Sequence, residues 1–92
     1  MKIKLFTQAA DLLGHSEIIL EINSDLTVDE VMRQLSAKIG EPLKKIYDLE
    51  NSLLCSGFFI LLNGVHLARM QGTATSVKND DVLAVVPVME AG

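Results

Sequence analysis

The chain has 92 residues, eight basic and twelve acidic side chains for a formal charge of −4, and a single cysteine. That length allows one small domain, the acidic balance argues against phosphate-backbone binding and favours a basic partner surface, and one cysteine excludes an internal disulfide. No apolar run is long enough to span a bilayer and no signal segment is recognisable, so a cytoplasmic protein that binds neither nucleic acid nor membrane is expected.

Lys2-Ile3-Lys4-Leu5-Phe6 alternates polar and apolar residues, which predicts a strand with Ile3 and Leu5 on one face and Lys2, Lys4 and Phe6 on the other. Residues 9–16, with Asp11, Gly14 and His15, read as a turn. Glu17-Ile18-Ile19-Leu20-Glu21-Ile22 alternates again with Ile18, Leu20 and Ile22 inward, so the two strands read as an antiparallel hairpin.

After the polar break Asn23-Ser24-Asp25, Thr27-Val28-Asp29-Glu30 fits a capping box, in which Thr27 caps the amide of Glu30 and Glu30 returns to that of Thr27. Val28, Val31, Met32, Leu35 and Ile39 then form one helical face, and Gly40 supplies a left-handed stop. Pro42 can open a further short helix whose weak apolar side holds Leu43, Ile46 and Tyr47.

Phe58-Phe59-Ile60-Leu61-Leu62 predicts a strand that is apolar on both faces, and Asn63-Gly64 predicts a tight turn into Val65-His66-Leu67. His66 and Cys55 have no partners at metal-ligand or nucleophile–base spacing, so no metal site and no catalytic residue are expected. Residues 70–79 read as a polar connection, followed by a Lys78-Asn79-Asp80-Asp81 turn.

Residues 82–86 form a continuous apolar run that predicts a strand buried on both faces. Pro87 cannot donate to a ladder and should end the pairing, or confine it to an edge, and release residues 88–92 from the sheet. The expected division is a domain over residues 1–87 and a flexible tail over residues 88–92, able to extend about 17 Å at roughly 3.3–3.6 Å per residue. On the residues alone that tail reads first as an ordinary frayed end, as most termini are. With the first and last strands as parallel neighbours at the centre, the fold class is α+β, a mixed sheet of four to five strands with one main helix on one face.

This order of elements, the capped helix, the Asn63-Gly64 turn, the Lys78-Asn79-Asp80-Asp81-Val82 approach and the ending Val86-Pro87-Val88-Met89-Glu90-Ala91-Gly92 resemble the small sulfur-carrier proteins of the ubiquitin-like β-grasp fold. The likeness is nearest to MoaD, the small subunit of molybdopterin synthase, with ThiS of thiamin synthesis more distant. The resemblance implies a carrier rather than an enzyme, with no tightly bound cofactor. A ubiquitin-activating-type adenylating enzyme would use ATP to activate the carboxylate of Gly92. Sulfur would then convert it to a thiocarboxylate, and the molybdopterin synthase large subunit would receive it.

Under the same resemblance Val88, Met89, Glu90 and Ala91 would enter the partner's site, and Phe6, Phe58, Phe59 and Pro87 would meet the partner on the sheet face opposite the helix. Ala91 stands where the family pattern has its penultimate glycine, and Val88 where it has a second proline. An Ala-Gly-Gly ending, one residue longer, would also suit the pattern. Two other readings remain open: a ubiquitin-like modifier joined to target lysines through Gly92, and a β-grasp interaction domain that has left the carrier reaction.

Overall fold

The computed structural model describes residues 1–88. β1 (Lys2–Leu5) lies between β2 (Glu17–Ile19), to which it is antiparallel, and the last strand β9 (Val82–Pro87), to which it is parallel. β9 pairs on its other side with β6 (Phe58–Leu62), and β6 with β7 (Val65–His66), both antiparallel. The mixed sheet therefore has the order β2-β1-β9-β6-β7, with the first and last long strands central as the patterning implied.

The main helix α2 (Val28–Ile39) begins at the predicted capping box. The amide of Glu30 donates to Thr27 Oγ1 at 3.2 Å, and that of Thr27 donates to Glu30 Oε1 at 3.0 Å, so two otherwise unpaired helix donors are satisfied. Val28, Val31, Met32 and Leu35 are fully buried and form one core with Ile3, Ile60, Leu83 and Val85 of the sheet. Each buried aliphatic side chain of this size contributes on the order of 1.5–3 kcal/mol. Gly40 ends the helix with φ 88° and ψ −148°, so the positive φ is as expected but the backbone is extended rather than left-handed helical.

Four parts of the connections differ from the sequence reading. Residues 9–16 are not a simple turn: α1 (Gln8–Leu13) fills most of that stretch, burying Ala9 and Leu13 one helical turn apart and ending at Gly14 in the left-handed region. The break before α2 leads into β3 (Leu26–Thr27), which pairs with β8 (Ser76–Val77) from the connection read as merely polar. A 3₁₀ turn at Glu41–Lys45 is followed by the small hairpin of β4 (Tyr47–Asp48) and β5 (Leu53–Leu54). Further 3₁₀ turns at Leu67–Arg69 and Gly72–Ala74 take up the return from β7, and Leu67 leaves the predicted strand to enter the core.

Candidate carrier strand and partner face

β9 leads to the predicted tail, and its hydrogen bonds explain where Pro87 is tolerated. Asp81 O and Val85 O accept from Lys2 and Phe6 in the direction of β1, while Val82 O accepts from Asn63 and the amide of Val88 donates to Gly57 O at 2.7 Å in the direction of β6. Odd-numbered residues thus turn their peptide groups to β1 and even-numbered ones to β6. The N–H that Pro87 lacks would face Phe6, one residue beyond β1, whose carbonyl already accepts from the amide of Ala9 at 3.0 Å. Pairing consequently runs through Pro87, opposite Phe58, and Val88 is still tied to the sheet although half exposed, at 51%. Release of the chain directly after Pro87 is thereby corrected by one residue. The other predicted tail positions, Met89, Glu90, Ala91 and Gly92, lie outside the described residues.

The same alternation sorts the four predicted partner residues. Phe6 is 45% exposed, and Phe59 lies on the sheet face away from the core, stacked on His66 with ring centroids 5.1 Å apart and planes 4° from parallel. Phe58 has the opposite parity, shares the face of Ile60 and Leu62 and packs against the core, and its pair Pro87 is buried. Phe6 and Phe59 are thus presented together on the outer face, and Phe58 and Pro87 are not.

Leu61, Val82, Ala84 and Val86 share that outer face and are half-buried. The expectation of a last strand buried on both faces holds only for the core side, where Leu83, Val85 and Pro87 are covered. His66 belongs to this surface too: its Nδ1 accepts from the amide of Ala68 at 3.0 Å, which puts the proton of the neutral ring on Nε2. Strand parity signals Phe6 in the sequence; β6 and β9 are apolar on both faces, so parity alone does not choose their outward residues, and His66 has no signal.

Asn63 fixes the other end of β9. With φ 49° at Asn63 and 86° at Gly64 the chain makes the tight turn that two positive φ values require. The Asn63 side chain accepts from the amide of Val82 at 2.9 Å and donates to Asp81 Oδ1 at 2.9 Å, while the other oxygen of Asp81 accepts from the amide of Lys78 at 2.8 Å. One side chain therefore joins the β6–β7 turn to the turn entering β9.

On the far side of the core, Tyr47 donates to Asp29 Oδ1 at 2.5 Å and Arg33 Nε donates to Asp29 Oδ2 at 2.9 Å. Arg33 Nη2 also donates to Leu49 O at 2.7 Å, which ties the β4–β5 hairpin to α2. Burial pushes the Asp29 carboxyl up, but the hydrogen bonds from Tyr47, Arg33 and Ser52 outweigh it and hold the group below the ordinary carboxylate value. Burial, then the hydrogen bond to Asp29, pushes the Tyr47 phenol well above its ordinary value.

Cys55 donates to Lys44 O at 3.4 Å, and burial together with the nearby Asp48 raises its thiol, the reverse of what a reactive thiolate needs. No group of three or more metal-ligating side chains occurs among the described residues, and no helix there is long and apolar enough to cross a membrane.

The comparisons with known proteins match this geometry. The chain is 23% identical over 92 residues to small archaeal modifier protein 3 of Haloferax volcanii, covering 100% of this chain and 98% of that protein. The crystal structure of small archaeal modifier protein 1 from Haloferax volcanii superposes with a TM-score of 0.80 at 22% identity, covering 100% of this chain and 98% of that one. A Pyrococcus furiosus structure provisionally named molybdopterin converting factor, subunit 1, superposes with a TM-score of 0.70 at 22% identity, over 96% and 95% of the two chains. The fold is the ubiquitin-like β-grasp. The ThiS family model matches residues 3–92, and the chain belongs to the ThiS family of small ubiquitin-like sulfur-carrier and modifier proteins.

Proposed function

We propose that this chain is a cytoplasmic, MoaD-like sulfur carrier that works through the carboxylate of Gly92. The observation that carries the reading is the placement of β9, paired on both edges and clamped by Asn63 at one end and Gly57 at the other, directly before a family-matched C-terminal segment. Such a strand is a rigid base from which four further residues could reach about 13–14 Å when extended. Phe6 and Phe59 beside its exit supply an apolar surface on which a partner can seat itself before the tail is used.

An ionised carboxylate is a poor electrophile. In the proposed sequence a Gly92 carboxylate oxygen attacks the α-phosphorus of ATP on a ubiquitin-activating-type enzyme, and pyrophosphate leaves. Hydrosulfide, or its equivalent from a cysteine desulfurase system, then adds to the acyl carbon, AMP leaves and a thiocarboxylate remains. The resemblance of the fold to the Pyrococcus furiosus protein supports delivery of this sulfur to the large subunit of a molybdopterin synthase. ATP would be consumed by the activating enzyme, and the carrier itself would hold no cofactor.

The similarity to small archaeal modifier protein 3 favours a second reading, in which a target lysine Nζ takes the activated acyl group and forms an isopeptide bond. Both begin with the same adenylate. Incubation with ATP, sulfide and an adenylating enzyme, followed by intact mass, tests the shared step. Thiocarboxylate without conjugates supports the carrier, whereas ladders on a denaturing gel that require Gly92 support the modifier. Ala91 bears on both, because its methyl group occupies space that bare backbone would leave free; Ala91→Gly should react at least as fast.

A further inference from the structure

β2 is an outer strand of the five-stranded sheet, and its open edge carries a definite charge pattern. The amide of Leu20 donates to Met1 O at 2.9 Å, the Met1 ammonium returns to Leu20 O at 2.6 Å, and the amide of Leu5 donates to Ser16 O at 2.9 Å. Ser16, Ile18 and Leu20 therefore direct their peptide groups to β1, and those of Glu17, Ile19 and Glu21 point away from the sheet. Along that open edge Glu17, Ile19 and Glu21 also expose their side chains, Ile19 to 53%, while Ile18, Leu20 and Ile22 are buried. A shallow groove lined by Ile18, Ile19, Lys38 and Ile39 separates the edge from the end of α2.

We propose that this edge is a docking site for an extended basic segment of a partner protein, which adds to the sheet as a further strand beside β2. Over the roughly 13 Å from Glu17 to Glu21 the partner would place lysine or arginine opposite each glutamate and an apolar residue opposite Ile19. Its alternate side chains, turned toward Ile39 and Lys38, would be apolar and uncharged. Main-chain hydrogen bonds to residues 17, 19 and 21 supply affinity, and the charge pattern supplies selectivity.

The same pattern rejects a second copy of this chain. Antiparallel pairing of two β2 strands about Ile19 sets Glu17 against Glu21 twice on one face, and like charges directly opposite are destabilising. Three lysines, Lys2, Lys4 and Lys38, border the edge and define what must yield, Lys4 being the direct cross-strand partner of Glu17. Lys2 reaches Glu17 only at 3.7 Å with both side chains nearly half exposed, Lys38 Nζ lies 3.5 Å from Ile19 O and would swing away on its flexible stem, and His15 lines the groove end. Docking here leaves β9, two strands away, unobstructed, so the proposal does not depend on the chemistry at Gly92.

The test uses the full chain and two end-blocked synthetic peptides, Ser-Lys-Val-Val-Val-Lys-Ser and the same sequence with glutamate for lysine, followed by amide shifts in nuclear magnetic resonance titrations. The lysine peptide should bind at least tenfold more tightly, moving the amides of Glu17, Ile19 and Glu21. The double variant Glu17→Lys/Glu21→Lys should invert that preference. Ile19→Pro removes an outward N–H without touching the β1 ladder, and should abolish binding while the far-ultraviolet circular dichroism is retained. Binding of neither peptide, or binding indifferent to the charge reversal, would overturn the proposal and leave the glutamates as guards against edge-to-edge association. Should Ile19→Pro not fold, the charge-inversion result alone decides.

Discussion

The amide of Val88 donates to the carbonyl of Gly57 at 2.7 Å, so the final strand stays joined to β6 one residue beyond Pro87. This bond sets where the sheet hands over to the C-terminal segment. Val88→Pro should remove it and lower stability by about 1 kcal/mol, the usual net value of one hydrogen bond. Pro87→Ala should leave the ladder intact, because the restored N–H faces the carbonyl of Phe6, which already accepts from Ala9. Urea denaturation of both variants, with amide exchange at residues 57–59, compares the two effects.

Phe58 and Phe59 are adjacent in the chain and have opposite fates. Phe58→Ala should cost about 2 kcal/mol, somewhat less than a fully buried phenylalanine, because it only partly packs on the core. Phe59→Ala should change stability by less than about 1 kcal/mol yet weaken binding of an adenylating partner tenfold or more. Thermal melts and titration calorimetry on the same two variants separate the packing role from the partner-facing one.

Asn63 holds a positive φ and bridges two turns with its side chain. Asn63→Ala loses both contributions and should cost about 2–3 kcal/mol, whereas Asn63→Gly keeps the turn conformation and should cost about half as much. Chemical denaturation of the pair apportions the clamp and the backbone.

The pairing of Tyr47 with Asp29 makes stability depend on pH at both extremes. Asp29 is held below its ordinary value of 3.8, so its contribution is present above that pH and is lost as the pH falls through the lower, folded value. Tyr47 is raised from 10.0, so its contribution is present below pH 10 and is lost as the pH rises beyond it. Tyr47→Phe should flatten the alkaline limb, shrink the acid one and cost about 1.5–3 kcal/mol at neutral pH. Thermal unfolding midpoints from pH 2 to 11 check each part.

Much of this fold could be read from residue patterns that report local physics directly. The Thr27–Glu30 capping box, the α2 apolar stripe, the Asn63-Gly64 turn and the central pairing of β1 with β9 all have such signals. Helix α1 leaves little trace in the sequence although Ala9 and Leu13 are four apart before Gly14, because six residues span fewer than two helical turns. β3 and β8 were hidden for a different reason: two-residue strands carry no alternation, and Leu26 meets Val77 only through tertiary structure. The strand ends at Pro87 as expected, but the hold on Val88 is not legible in the sequence, because it depends on which edge the missing N–H would face, a matter of register. For the site, parity placed Phe6 outward but could not choose between Phe58 and Phe59, since the strand is apolar on both faces. His66 gave no sign at all, because its stacking on Phe59 exists only once β6 and β7 pair.

The most direct test is the intact mass of the purified chain after incubation with ATP, a sulfide source and an adenylating enzyme of the ubiquitin-activating type. A shift matching sulfur in place of one oxygen, localised to Gly92 by fragmentation and absent without ATP, is expected. An unchanged mass, with an Ala91→Gly variant that does shift under the same conditions, would contradict a carrier role for the natural tail while leaving the fold and its partner face intact.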